Sequence, residues 1–199
     1  MAVDDMRSRI VAAATEVVRT EGVRGATTRR IAATAGVAEG SIYNHFADKA
    51  DLVIAVVMEG LPVPGALGEL AGRVGTGTVR DNLVRVVTYG LEFYGDLQRL
   101  TAMVASDPTL YSRLLGQLDT RGIGPRRAQQ ALAGYLAAER AAGRLTGPAD
   151  LGTVALLLTG ACQAQTLLEQ FHPELAPRGG DRAALAGRIV DTVLPLLAP

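Results

Sequence analysis

The chain has 199 residues, 48% hydrophobic and 20% charged, with 20 basic side chains balanced by 20 acidic ones. That composition supports a buried core and excludes a wholly disordered chain, and zero net charge makes any attraction to nucleic acid a local matter. Cys162 is the only cysteine and His45 and His172 the only histidines, which excludes an intrachain disulfide and a multi-cysteine metal site.

In chain order the sequence predicts helices throughout and no alternating β-branched strand. The first runs from about Asp5 to Thr20, with Ile10, Ala14, Val17 and Val18 as its apolar stripe and Gly22 as its end. The charges at Asp4, Asp5, Arg7 and Arg9 argue against a signal peptide, so the chain is expected to be cytoplasmic. Thr27 is a good N-cap for a second helix carrying Ile31 and Ala32 inward, and Ala35-Gly36-Val37 stops it. A third helix is expected over about Ala38 to Phe46, and Asp48 caps a fourth, with Asp51 three residues on.

Residues 60–77 are rich in Gly and Pro and read as a loop with a short helical turn at Ala66 to Val74. A long helix starts at about Val79, with Leu83, Val86, Gly90, Phe93 and Leu97 on one face. Pro108, Pro125 and Pro148 each sit where a further helix can begin, and Gly143 ends the helix begun at Pro125. The last helix runs from Asp181 towards Pro195. The most apolar stretch, Leu151 to Leu168, contains Gln163, Gln165 and three threonines, and reads as a buried helix, not a membrane span.

Function concentrates between Thr27 and Lys49. Two short helices flank a tight turn at Gly36, and Ile31, Ala32, Val37, Ile42 and Phe46 fall where they pack those helices together. That is a helix-turn-helix, whose second helix enters the major groove of double-stranded DNA. Its open face would show Glu39, Gly40, Ser41, Tyr43, Asn44 and His45, groups suited to base edges and phosphates.

The Thr-rich cap, Ile31-Ala32, Ala35-Gly36-Val37, Gly40, Ile42-Tyr43, His45-Phe46, Lys49 and Leu52 together resemble the TetR family of bacterial transcriptional regulators over about residues 7–58. The resemblance implies an all-α protein with a three-helix DNA-binding head over 1–48 and a helical effector-binding and dimerisation body over 49–199. It places Thr27, Ser41, Tyr43, His45 and Lys49 at positions that hold phosphates, and Arg29, Glu39, Gly40 and Asn44 at positions that approach bases. Two residues depart from the family pattern. Ala38 replaces the usual Ser or Thr cap of the recognition helix, and Glu39 stands where uncharged or basic residues are common. Glu39 could accept from a cytosine amino group, or could merely complement the helix dipole in solvent.

For the body, the resemblance implies a homodimer and a small-molecule pocket. Tyr89, Phe93, Tyr94, Met103, Tyr111, Tyr135, Cys162 and Gln165 are the candidate lining of a pocket for a small apolar or aromatic effector. Leu151, Val154, Leu158 and Ala161, with Leu185, Ile189 and Val193 on the last helix, are the candidate dimer face. No nucleophile–base pair, phosphate loop or metal motif is present, so neither enzymatic activity nor a cofactor is expected. The expected function is that of a ligand-responsive repressor binding a palindromic operator as a homodimer. The alternatives are an activator and a regulator whose body binds a protein partner instead of a small molecule.

Overall fold

A computed structural model describes residues 2–60, 65–105, 107–177 and 181–197. Every regular element among them is helical, as the periodicity predicts. The helices are α1 (Ala2–Gly25), α2 (Thr28–Ala35), α3 (Glu39–Tyr43), α4 (Lys49–Gly60), α5 (Ala66–Glu69), α6 (Val79–Val104), α7 (Pro108–Thr120), α8 (Pro125–Ala141), α9 (Leu151–Phe171) and α10 (Arg182–Val193). Short 3-10 turns follow α5, α9 and α10.

The chain divides into two compact units, one of residues 1–61 and 99–118 and the other of residues 62–98 and 119–199. Helix α4 thus lies in the first unit, beyond the 1–48 head read from the sequence. The reason is packing: α4 lies against α1, and Leu52, Ala55 and Val56 join Ile10, Ala14, Val17, Ile31, Ile42 and Phe46 in a single core.

Local signals set the bounds in this unit. Gly22, at φ 73° and ψ 170°, interrupts α1 where the sequence places its end. Thr27 caps α2 by accepting from the Arg30 N–H at 3.2 Å, a contact worth about 1 kcal/mol. Gly36 ends α2 in the left-handed conformation, φ 67° and ψ 38°, which costs residues with a Cβ more. Arg9 on α1 donates to the Ala35 carbonyl at 2.9 Å and so satisfies one open end of α2. Helix α3 is shorter than expected. The His45 and Phe46 N–H groups both donate to the Ile42 carbonyl at 3.0 Å, closing a tight turn after Tyr43.

In the second unit, α8 ends where predicted, with Gly143 at φ 73° and the Arg144 N–H returning to the Glu139 carbonyl at 3.0 Å. Helix α9 starts at Leu151 and not at Pro148. Asp150 is its N-cap, accepting from the Thr153 N–H at 2.7 Å, while Arg140 donates to the Gly147 and Ala149 carbonyls and holds the preceding segment out of the helix. Arg80 grips Asp191 through two bonds of 2.6 and 2.8 Å and ties α6 to α10.

Helix α9 differs from the buried helix expected. It buries Val154, Ala155, Leu158, Thr159, Cys162 and Thr166 on one face only. The other face exposes Leu156, Leu157, Leu167, Leu168 and Phe171, the last 72% open. By length and composition alone α9 could also cross a membrane.

Candidate nucleic-acid interface and body cavity

The first unit turns apolar groups inward and leaves a polar strip outside. Ile42 and Phe46 are buried between α1, α2 and α4, and the helical offset then forces Tyr43 out, 54% exposed. Glu39, Gly40 and Asn44 are exposed beside it, with Ser41 and His45 half-buried. Ala38 makes no side-chain cap to α3, so the Ala38 departure leaves that end without the usual bond. Thr27 and Arg29 at the start of α2 are exposed, and Lys49 is half-buried at the start of α4. All nine predicted DNA-binding residues lie on or beside the two helices and the start of α4.

The start of α4 is capped as the sequence predicts. Asp48 accepts from the Asp51 N–H at 2.7 Å, and Asp51 accepts from the Ala47 N–H at 3.2 Å. This reciprocal cap satisfies donors that a phosphate would otherwise meet. The Asp51 N–H and the Arg113 guanidinium hold the Asp48 carboxyl below the ordinary carboxylate range.

The second unit contains a cavity of about 70 Å³. Its walls come from α6, α8 and α9, with Val86, Phe93, Tyr94, Leu132, Leu158 and Cys162 among them. Residues 122–124, between α7 and α8, and Arg127 complete it. Tyr89 stacks on Phe93 at 5.9 Å, and Phe93 meets Tyr94 edge-on at 5.5 Å, the offset arrangements that aromatic quadrupoles favour. Burial pushes the Tyr94 hydroxyl well above the usual tyrosine range and the Cys162 thiol up to about 12. Cys162 is a neutral wall group in such a setting.

Of the predicted lining residues, Tyr89, Phe93, Tyr94 and Cys162 meet at this cavity. Tyr135 does not; it is buried in a polar cluster, where its hydroxyl accepts from Asn82 at 3.0 Å. Gln165 is tied to Glu169 at 3.0 Å and to the Leu175 carbonyl at 3.2 Å. Tyr111 lies on α7 in the other unit and is exposed. The Met103 side chain lies outside the described residues. Sequence reasoning missed Leu132 and the Gly122-Ile123-Gly124 loop. The signal for the α6–α9 wall was Gly90, whose Cβ, if present, would stand 3.1 Å from the Cys162 Sγ.

The predicted dimer residues divide in the same way. Val154, Leu158 and Val193 are buried within the unit itself, Leu158 as cavity wall, while Leu151, Ala161, Leu185 and Ile189 are half-buried. The large apolar side chains exposed on α9 are the five named above. Among the described residues no group of three His, Cys, Asp or Glu could hold a metal.

Residues 10–56 match the family model of bacterial regulatory proteins of the tetR family. No curated protein matches the sequence. Among solved structures, a putative TetR-family transcriptional regulator from Mesorhizobium loti is similar over 100% of both chains, with a TM-score of 0.76 and 18% identity. NalD of Pseudomonas aeruginosa, the secondary repressor of the MexAB-OprM multidrug efflux pump, is similar over 100% of this chain and 98% of its own, with a TM-score of 0.64 and 18% identity. The transcriptional regulator FadR from Bacillus subtilis, solved in complex with stearoyl-CoA, is similar over 95% of this chain and 98% of its own, with a TM-score of 0.61 and 20% identity. At these identities the likeness is one of fold.

Proposed function

We propose that this chain, a transcriptional regulator with the DNA-binding head of the tetR family, is a homodimeric repressor that releases a palindromic operator when a small molecule enters its body. The observation that carries the DNA-binding part is the exposed strip of Glu39, Gly40, Tyr43 and Asn44 on and just after a short helix that Ile42, with Phe46 beyond its end, locks into the core. On and around that strip, Thr27, Ser41, Tyr43, His45 and Lys49 hold phosphates, and Arg29, Glu39, Gly40 and Asn44 approach bases. The protein works in the cytoplasm, where bacterial DNA lies.

The open face of α9 supports the dimer. Leu157, Leu168 and Phe171 recur at helical spacing on a surface too apolar to favour water, and a second copy of the same face is self-complementary under twofold symmetry. Pairing there also explains an apolar helix without invoking a bilayer. Two heads so joined would meet successive major grooves about 34–36 Å apart.

The cavity supports the effector. Its walls are mostly aromatic and aliphatic, with Arg127 and Thr159 as polar members, so it suits a small, largely apolar or aromatic molecule. A complex of FadR with stearoyl-CoA and the repressor role of NalD are in keeping with ligand binding and repression on this fold. A ligand that favours a head spacing other than the operator-bound one weakens operator binding by the same factor by which the operator weakens its own binding.

Selection of bound sites from random duplex DNA tests the proposal. The full chain is expected to enrich a palindrome, and a Tyr43→Ala, Asn44→Ala double variant to lose it. A folded wild-type protein that enriches no site would overturn the reading.

A further inference from the structure

We propose that Glu39 fixes the base preference at one position of each half-site by demanding a hydrogen-bond donor in the major groove, with Thr28 as its positioning residue. The inference rests on the DNA-reading role proposed above for the head. Thr28 Oγ1 donates to Glu39 Oε1 at 2.6 Å, joining the first residue of α2 to the first residue of α3. This bond occupies one carboxylate oxygen and restrains a side chain that otherwise samples many rotamers.

The other oxygen, Oε2, has no donor among the described residues. Three other acids of the head do have cationic partners: Glu21 meets Arg30 at 2.8 Å, Glu59 meets Arg7 at 2.5 Å and Asp48 meets Arg113 at 2.8 Å. Glu39 makes no ion pair among the described residues and stands exposed in the strip that carries Gly40, Tyr43 and Asn44. A pure dipole-compensating role would leave the carboxylate unrestrained; here it is held by a neighbouring helix.

An ionised carboxylate only accepts hydrogen bonds. Phosphate oxygens, guanine O6 and N7, and thymine O4 are acceptors too, so each repels it. The major groove offers it donors only at the amino groups of cytosine and adenine. Adenine carries the acceptor N7 beside its amino group, which faces the second carboxylate oxygen unfavourably. Cytosine carries a C–H there. The geometry therefore points to cytosine, with guanine and thymine penalised on the same strand.

The test uses the duplex enriched by the wild-type chain and every single-base variant of one half-site, titrated with wild type, Glu39→Gln and Thr28→Val. Wild type is expected to prefer cytosine at one position by roughly tenfold. Glu39→Gln should move that position to adenine, whose N6 and N7 a carboxamide can pair together, and leave the ranking elsewhere unchanged. Thr28→Val should keep cytosine first with a smaller margin. Rankings within one protein preparation do not depend on its folded fraction. If Glu39→Gln tightens all sequences equally and reorders none, Glu39 only repels phosphate and the proposal fails. If wild type ranks no sequence above another, the DNA-reading role fails with it, so the two failures are distinguishable.

Discussion

Arg113 on α7 donates to Oδ2 of Asp48 at 2.8 Å, and the other oxygen of the same carboxylate caps α4 by accepting from the Asp51 N–H at 2.7 Å. One side chain thus holds the start of α4 and fastens residues 99–118 to the head. The cap and the Arg113 contact both favour the charged carboxylate. A carboxyl whose pKa is depressed on folding contributes stability above its unfolded value of 3.8, and loses that stability as pH falls through the lower folded value. Both partners are exposed, so solvent screening keeps the ion-pair share below about 1 kcal/mol. Asp48→Ala should lower thermal stability at pH 7 by about 1–2 kcal/mol, chiefly through the cap. The difference from wild type should shrink as pH drops below 3.8 towards the folded value. Thermal melts at several pH values check this, and a difference independent of pH contradicts it.

Lys49 is expected to bind phosphate and carry no sequence information. Lys49→Ala should weaken all duplexes alike and reduce the slope of log affinity against log salt by about 1. A loss confined to one base position would instead make it a base reader. Fluorescence anisotropy titrations at a series of salt concentrations distinguish the two.

Cys162 should be inert in the folded protein. Burial raises its thiol to about 12, so hardly any thiolate exists near neutrality. A chromogenic disulfide reagent should label it slowly at pH 8 and at once in denaturant. Because the folded pKa lies above the unfolded one, this group's contribution to stability is complete below pH 9 and declines as pH rises towards 12. Rapid labelling under native conditions would mean that the α6–α9 wall opens far more readily than its packing implies.

A polar cluster at the start of α6 should matter to stability and not to DNA sequence preference. Asn82 is buried and donates to the Thr76 carbonyl at 2.9 Å and to the Tyr135 hydroxyl at 3.0 Å. Glu139, fully buried, meets Arg144 at 3.2 Å and accepts from the Gly75 N–H at 3.3 Å. Removing one partner leaves the other desolvated, so Glu139→Ala should cost about 3 kcal/mol and Asn82→Ala about 1–3 kcal/mol. Denaturant unfolding measures both. A neutral Glu139→Ala would show that Arg144 gains enough water to offset the lost pair.

The head was legible because its signals are local. Thr27, Gly36 and Asp48 punctuate the chain by their own chemistry, and Ile42 with Phe46 fixes which side of α3 faces out. The end of α3 escaped, because Asn44 and His45 are compatible with either helix or turn, and so did the packing of α4 and residues 99–118 into the same unit, which rests on contacts distant in sequence. The body was less legible because α9 is apolar nearly all round. Val154 and Leu158 look like an outward stripe by spacing, yet Leu156 and Leu157 fit a second stripe equally well, and only packing against α6 and α8 decides between them. Pro148 misled for a related reason. A proline tolerates a helix start, but Arg140 claims the Gly147 and Ala149 carbonyls and moves the start to Leu151. Tyr135 and Tyr111 show that an aromatic with a polar tip serves a buried hydrogen bond or a surface as readily as a cavity.

Sedimentation of the full chain with its enriched duplex tests the dimeric regulator most directly, when compared with a Leu157→Asp, Leu168→Asp variant. The account predicts an even number of wild-type chains on each palindromic duplex, at least two, and a folded, monomeric variant whose affinity for the palindrome collapses while its weak, salt-sensitive binding remains. A wild-type chain that saturates the duplex as a monomer, or a variant that binds as tightly as wild type, would contradict it.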